Sequence, residues 1–183
     1  LMGAELRAIS GIDTGLWDLL GEIYDTPLYR LLGGQTRTSV PIYFSGIYDE
    51  VAMEKNAVQD WSKQCVDAGW KACKTARFFG DFYGDTAGYL SAANAATGAR
   101  RFEWVRQAVG DQLEVGLDLH CAFDVPSAIR IGQAVKQFNP YFVEEPIQPH
   151  NARALREVRE SAGVPIAAGE RIFSRWGFRD ILE

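Results

Sequence analysis

The chain has 183 residues, a formal net charge of -5 and 23% charged residues, with no cluster of lysines or arginines. That balance argues against nucleic acid or an anionic membrane as the main partner. No apolar run approaches the roughly 20 residues that span a bilayer, and nothing resembles a signal peptide. Cys65, Cys73 and Cys121 are scattered, without a Cys-x-x-Cys pair or zinc-ligand spacing. They suit a reduced, cytoplasmic setting better than a disulfide framework.

From Leu6 onward, apolar residues fall at Ile9, Ile12, Leu16, Leu19 and Ile23. Spacing by three and four predicts a helix with one buried face. Pro27 breaks it, and a short second helix over 28–32 stops at Gly33 and Gly34, where glycine can take the left-handed C-terminal turn. Residues 39–46 read as a strand, and Val58, Trp61, Cys65 and Ala68 as the apolar stripe of a crossover helix that ends at Gly69. A second strand covers 71–78. Side chains alternate across a strand, so Lys74 and Ala76 share one face. If that face is inward, Lys74 needs a charged partner or a substrate; the alternative is that it points outward and snorkels between helices.

Residues 79–96 carry Gly80, Gly84 and Gly88 among Phe79, Phe82, Tyr83 and Tyr89. This is long for a βα loop, and it reads either as a lid over a pocket or as a surface excursion. Phe102, Val105 and Val109 mark the next helix, ended by Gly110 and Asp111. Pro126 opens another, striped by Ala128, Ile131, Val135 and Phe138, and Leu155, Val158 and Ala162 stripe a fourth crossover. A further helix starts at Ser174. His150 adjoins Asn151, for which helix capping is the simpler local role.

The chain is organised around three short apolar runs that each reach a carboxylate: Val-Gly-Leu-Asp at 115–118, Tyr-Phe-Val-Glu at 141–144 and Pro-Ile-Ala-Ala-Gly-Glu at 165–170. Asp118, Glu144 and Glu170 are each 26 residues apart. Helical spacing between the runs predicts strands joined by crossover helices, hence a parallel α/β sheet. Equal units bring the strand ends to one level, and in a (β/α)₈ TIM-type barrel that level is the floor of the active site. One acid at a strand end is usually solvated or caps a helix. Three at matched positions repel one another unless a cation sits between them, and all-oxygen ligation suits Mg²⁺. A whole barrel needs about 250 residues, so the sequence predicts a partial one. Its expected parts are a helical lead-in over 1–38 and five βα units over 39–183, with the capping domain and the last strands missing.

The residues resemble a known family. Ile-Ser-Gly-Ile-Asp-Thr-Gly-Leu-Trp-Asp at 9–18, closing on Leu31, Leu32, Gly33 and Gly34, resembles the helix that introduces the barrel in the mandelate racemase group of the enolase superfamily. Asp118, Glu144 and Glu170, with Glu145 and Pro146 after the second and Gly169 before the third, resemble that group's magnesium ligands. Asp-Leu-His at 118–120 and Gly-Glu-Arg-Ile-Phe-Ser-Arg-Trp at 169–176 look most like D-galactonate dehydratase and related acid-sugar dehydratases.

The resemblance implies Mg²⁺-dependent removal of the proton next to a sugar acid's carboxylate, through an enediolate, to a 2-keto-3-deoxy acid. His120 lies two residues after Asp118, so strand alternation puts it on the same face one step nearer the rim, and the resemblance implies it as the general acid for the leaving hydroxyl, a role that suits imidazole. Lys74 on the inward face would add positive charge at the substrate carboxylate. Glu145 alternates away from Glu144 and so stands behind the ligands at most, and Arg171 could pair with one of these acids and hold its geometry. Racemases and cycloisomerases of the group carry Lys-x-Lys on the second strand; here it reads Lys74, Thr75, Ala76, so that base is lost. Galactonate-type dehydratases also lack it and draw a histidine–aspartate base from later strands. The alternatives are a mannonate-type dehydratase, with Arg77 and Tyr83 or Tyr89 pressed into service, a racemase or cycloisomerase, and a non-catalytic metal- or carboxylate-binding barrel. The expected partner is a small sugar acid, in a homo-oligomer when complete.

Overall fold

The computed structural model of the chain describes residues 3–46, 54–82 and 88–183. It divides into two compact units, Leu1–Pro41 and Ile42–Glu183. The first holds helices α1 (Ala4–Ile23) and α2 (Leu28–Leu31). The second alternates strand and helix: β1 (Phe44–Ser45), α3 (Lys55–Asp67), β2 (Ala72–Thr75), α4 (Ala92–Val109), β3 (Glu114–Asp118), α5 (Val125–Val135), β4 (Phe142–Glu144), α6 (Ala152–Ala162), β5 (Ile166–Ala167) and α7 (Ser174–Leu182). The five strands pair in sequence order and all run parallel. This is the α/β arrangement expected, with five of the eight strands that close a barrel.

The core lies between the sheet and its helices. Cys73, Val115, Leu117 and Val143 point from one face of the sheet onto Val58, Phe102, Val105, Ile131, Val135 and Val158, all buried. Burying each of the larger side chains contributes about 1.5–3 kcal/mol. The opposite face carries Lys74, Gly116 and Phe142 in one row, because register pairs Lys74 with Gly116 and Gly116 with Phe142. Asp118 pairs with Glu144 one step further toward the strand ends. Gly116 leaves room there for the Phe142 ring, which a Cβ would meet at 2.6 Å.

Local chemistry sets where each crossover helix starts. Ser91 caps α4 by accepting from the Asn94 amide at 3.1 Å, and Asp124 caps α5 by accepting from Ser127 at 2.8 Å, with Pro126 second in the helix rather than first. Asn151 Oδ1 caps α6, accepting from Arg153 and Ala154, so the expected capping role of Asn151 holds.

Three further expectations change. The strands are shorter: β1 keeps two residues of the eight expected, and β5 ends at Ala167, three residues before Glu170. The stretch 79–96 is not one loop, because the Ser91 cap starts α4 inside it, and Phe79 and Leu90 are buried. Its middle, residues 83–87 with Tyr83, lies outside the described residues, so the lid reading does too. The third change concerns α1, which forms as expected but buries nothing: Ile9, Ile12, Leu16, Leu19 and Ile23 are all exposed. A helix cannot bury its own stripe, and a unit of two helices supplies no second layer to cover it. Among the described residues, no helix is long and apolar enough to cross a membrane.

The Phe79 side chain lies against Gly98 of α4 so closely that a methyl group at Gly98 would overlap its ring. Replacing Gly98→Ala should therefore destabilise the chain by about 1–3 kcal/mol through overpacking, despite alanine's higher helix propensity. Urea denaturation checks this, and an unchanged or higher midpoint would show that Phe79 is free to move aside.

Candidate metal centre

Asp118 and Glu144 are the last residues of adjacent strands, and their register brings the two side chains to the same end of the same face. Glu170 arrives differently. It sits beyond β5, in a turn entered through Gly169 at φ +135°, a conformation open to glycine and strained for other residues. One carboxylate oxygen from each of the three acids lies within 4.8 Å of the others. Oxygens on opposite sides of a hard dication stand about 4–5 Å apart, given metal–oxygen distances of about 2.0–2.6 Å. The span and the all-oxygen donor set both fit such an ion.

Lys74 reaches the same point from β2. Its ammonium donates to Asp118 Oδ2 at 3.0 Å and lies 3.1 and 2.9 Å from the two Glu144 oxygens, with the lysine side chain only 16% exposed. The inward reading of Lys74 is therefore the correct one. Lys74 offers one positive charge against three carboxylates, and Arg171 supplies a second from the rim, its Nε 3.1 Å from Glu170 Oε1. One negative charge is left over, so the cluster still favours a bound cation.

His120 stands where expected, for a different reason. β3 ends at Asp118, and His120 and Cys121 take left-handed backbone angles, φ 51° and 58°. The turn, rather than strand alternation, places His120 Nε2 3.4 Å from Asp118 Oδ2 while the His120 amide donates to Oδ1 at 3.1 Å. The imidazole is 43% exposed, open to an incoming molecule. Glu145 does turn away from the three ligands, and it is 2% exposed. Its Oε1 accepts from the amides of Gly169 and Glu170 at 2.6 and 3.1 Å, and its Oε2 accepts from the Cys121 thiol at 2.9 Å. Sequence reasoning missed Cys121, since a strand continued past Asp118 gives no reason to turn it toward Glu145.

Residues 57–183 match the family described as "Enolase C-terminal domain-like". The chain belongs to this enolase C-terminal domain family. It is 33% identical over 183 residues to "D-galactonate dehydratase" of Ralstonia nicotianae, covering 97% of this chain and 44% of that protein. It is 34% identical over 167 residues to "D-gluconate dehydratase" of Thermoproteus tenax, covering 91% of this chain and 32% of that protein. The crystal structure of a member of the enolase superfamily from Salmonella Typhimurium superposes with a TM-score of 0.87 at 30% identity, over 100% of this chain and 50% of that one. The enolase-family chain thus spans between about a third and a half of the length of these relatives.

The electrostatics of this enolase-family mouth follow from crowding. Burial pushes the Glu144 carboxyl above its ordinary pKa; Lys74 works against the shift, and the charges of Asp118 and Glu170 add to it. Burial alone would lower the Lys74 ammonium, but its hydrogen bonds to Glu144 and Asp118 outweigh burial and hold it above its ordinary value. The Cys121 thiol is pushed well up, first by burial and then by its bond to Glu145, so it stays protonated and able to donate. The hydrogen bond from Arg171 to Glu170 raises the guanidinium further.

A cation bound here competes with protons for Glu144. Because that carboxyl holds its proton to a higher pH than an ordinary glutamate, affinity for a divalent cation should already have fallen by more than half when pH drops to the ordinary value of 4.5. Titrating Mn²⁺ at successive pH values between about 7 and 4 reads this. Constant affinity down to 4.5 would contradict the crowding.

Proposed function

We propose that this chain carries the metal-binding and acid-donating part of a sugar-acid dehydratase, a hydro-lyase acting on an aldonate of the galactonate or gluconate type. The juxtaposition of His120 with Asp118, beside Glu144, Glu170 and Lys74, carries the reading. It is supported by the similarity to proteins named as dehydratases of D-galactonate, D-gluconate and arabinonate. Asp118, Glu144 and Glu170 would hold Mg²⁺. When bound, the ion supplies Lewis-acid stabilisation of the negative charge that develops as the proton beside a carboxylate is lost.

The chain's own residues account for the rest of this half-reaction. Lys74 keeps its proton between two carboxylates, which suits it to binding and charge compensation rather than to accepting a proton. His120, partly exposed and one turn beyond Asp118, would donate its proton to the hydroxyl on the neighbouring carbon. That hydroxyl then leaves as water while the electron pair of the broken C–H bond forms the enol, which tautomerises to the 2-keto-3-deoxy acid. Without the second lysine, replaced here by Ala76, β2 offers no base for a racemase or cycloisomerase. The proton-abstracting base of this dehydratase would come from later strands, as the resemblance implies.

Replacing His120→Asn in the full-length protein should cut dehydration of the best aldonate substrate by about 10²–10⁴-fold, with divalent-cation affinity within about twofold of wild type. Release of 2-keto-3-deoxy acid across a panel of aldonates measures it. Wild-type turnover in the variant would remove His120 from the reaction, and absence of turnover by the wild type on every aldonate would end the dehydratase reading.

A further inference from the structure

Glu145 is the buried acid that the proposed reaction leaves without a task. A carboxylate out of water is costly unless hydrogen-bonded, and this one is satisfied by two turns at once: the Cys121 thiol behind β3, and the Gly169 and Glu170 amides behind β5. Its backbone makes the same connections, accepting from the Cys121 amide at 2.7 Å and donating to Ala167 at 2.9 Å. The residue does this at φ 43°, a left-handed conformation that a side chain adopts at some cost and keeps only where its surroundings hold it.

We infer that Glu145 is a positioning residue for the metal centre, a brace that sets Glu170 against the β3 turn bearing Asp118 and His120. The inference rests on the metal-centre reading. Asp118 and Glu144 need no such help, because strand pairing fixes them. Glu170 lies three residues past β5, and its amide donates to Glu145 Oε1. Without that bond the third carboxylate has no ladder to hold it facing the other two. Arg171 adds an outer tie, Nη2 to the His120 carbonyl at 3.1 Å and Nε to Glu170, but in a setting 34% exposed, where water competes. The brace works by reach and acceptor placement, so shape matters more than charge.

Two substitutions separate these properties in the full chain, read by Mn²⁺ titration with free ion followed by electron paramagnetic resonance. Glu145→Gln keeps the length and an oxygen able to accept both amides while removing the charge; affinity within about threefold of wild type is expected. Glu145→Asp keeps the charge but is one methylene short of spanning both turns; a loss of about 10-fold or more is expected, the scale seen when groups behind metal ligands are removed. The reverse order would assign Glu145 an electrostatic role and overturn the brace, as would unchanged affinity in both variants, even with a lowered melting temperature. If Glu145→Asp does not fold, Cys121→Ala takes its place by removing one anchor; a loss of a few-fold supports the brace and unchanged affinity overturns it. A wild-type chain that binds no Mn²⁺ fails the metal-centre reading itself, whereas binding that Glu145→Asp or Cys121→Ala leaves intact fails the brace alone.

Discussion

Mutual repulsion among Asp118, Glu144 and Glu170 is the constraint around which this chain is arranged. Three acids converge within 4.8 Å on a floor where water is partly excluded, and Lys74 offsets only part of their charge. Nothing about the fold's stability requires this; apolar side chains at the same positions would pack without penalty. A hard dication would offset that repulsion, and on the proposed reading the sheet, the turns and Glu145 would hold its ligands in place.

The elements divide this task. Parallel pairing gives Asp118 and Glu144 their common level and common direction without further help. Gly116 opens the row below them for Phe142, which floors the centre with an apolar ring. Glu170 is carried by a turn, and it depends on hydrogen bonds from neighbouring segments rather than on the ladder. Left-handed residues at His120, Cys121 and Glu145, each strained relative to ordinary strand, turn the chain just past the ends of β3 and β4.

Much of this was legible in the sequence, and the failures have physical causes. The 26-residue repeat of carboxylates revealed that Asp118, Glu144 and Glu170 come together; equal βα units explain this for Asp118 and Glu144, which end paired strands, whereas a turn beyond β5 carries Glu170. Lys74 was found by alternation, which holds inside a strand as well paired as β2. Alternation stops working where strands stop: β3 ends at Asp118 and β5 at Ala167. His120 was therefore placed correctly on an incorrect premise, and Cys121 was read only as a sign of redox environment. The stripe on α1 shows the other limit. Periodicity reports that a helix has an apolar face, but not what covers it.

The similarity to sugar-acid dehydratases and the geometry point the same way from independent starting points, one from aligned residues and the other from charge and distance. The metal-centre reading depends on a cation at one place. Crystals of the chain soaked in Mn²⁺ and measured at the manganese absorption edge test this directly. The account predicts a single strong anomalous peak bounded by carboxylate oxygens of Asp118, Glu144 and Glu170. No peak there, or a peak at other acidic residues with Asp118 and Glu144 still held by Lys74 and Glu170 by Arg171, would contradict it.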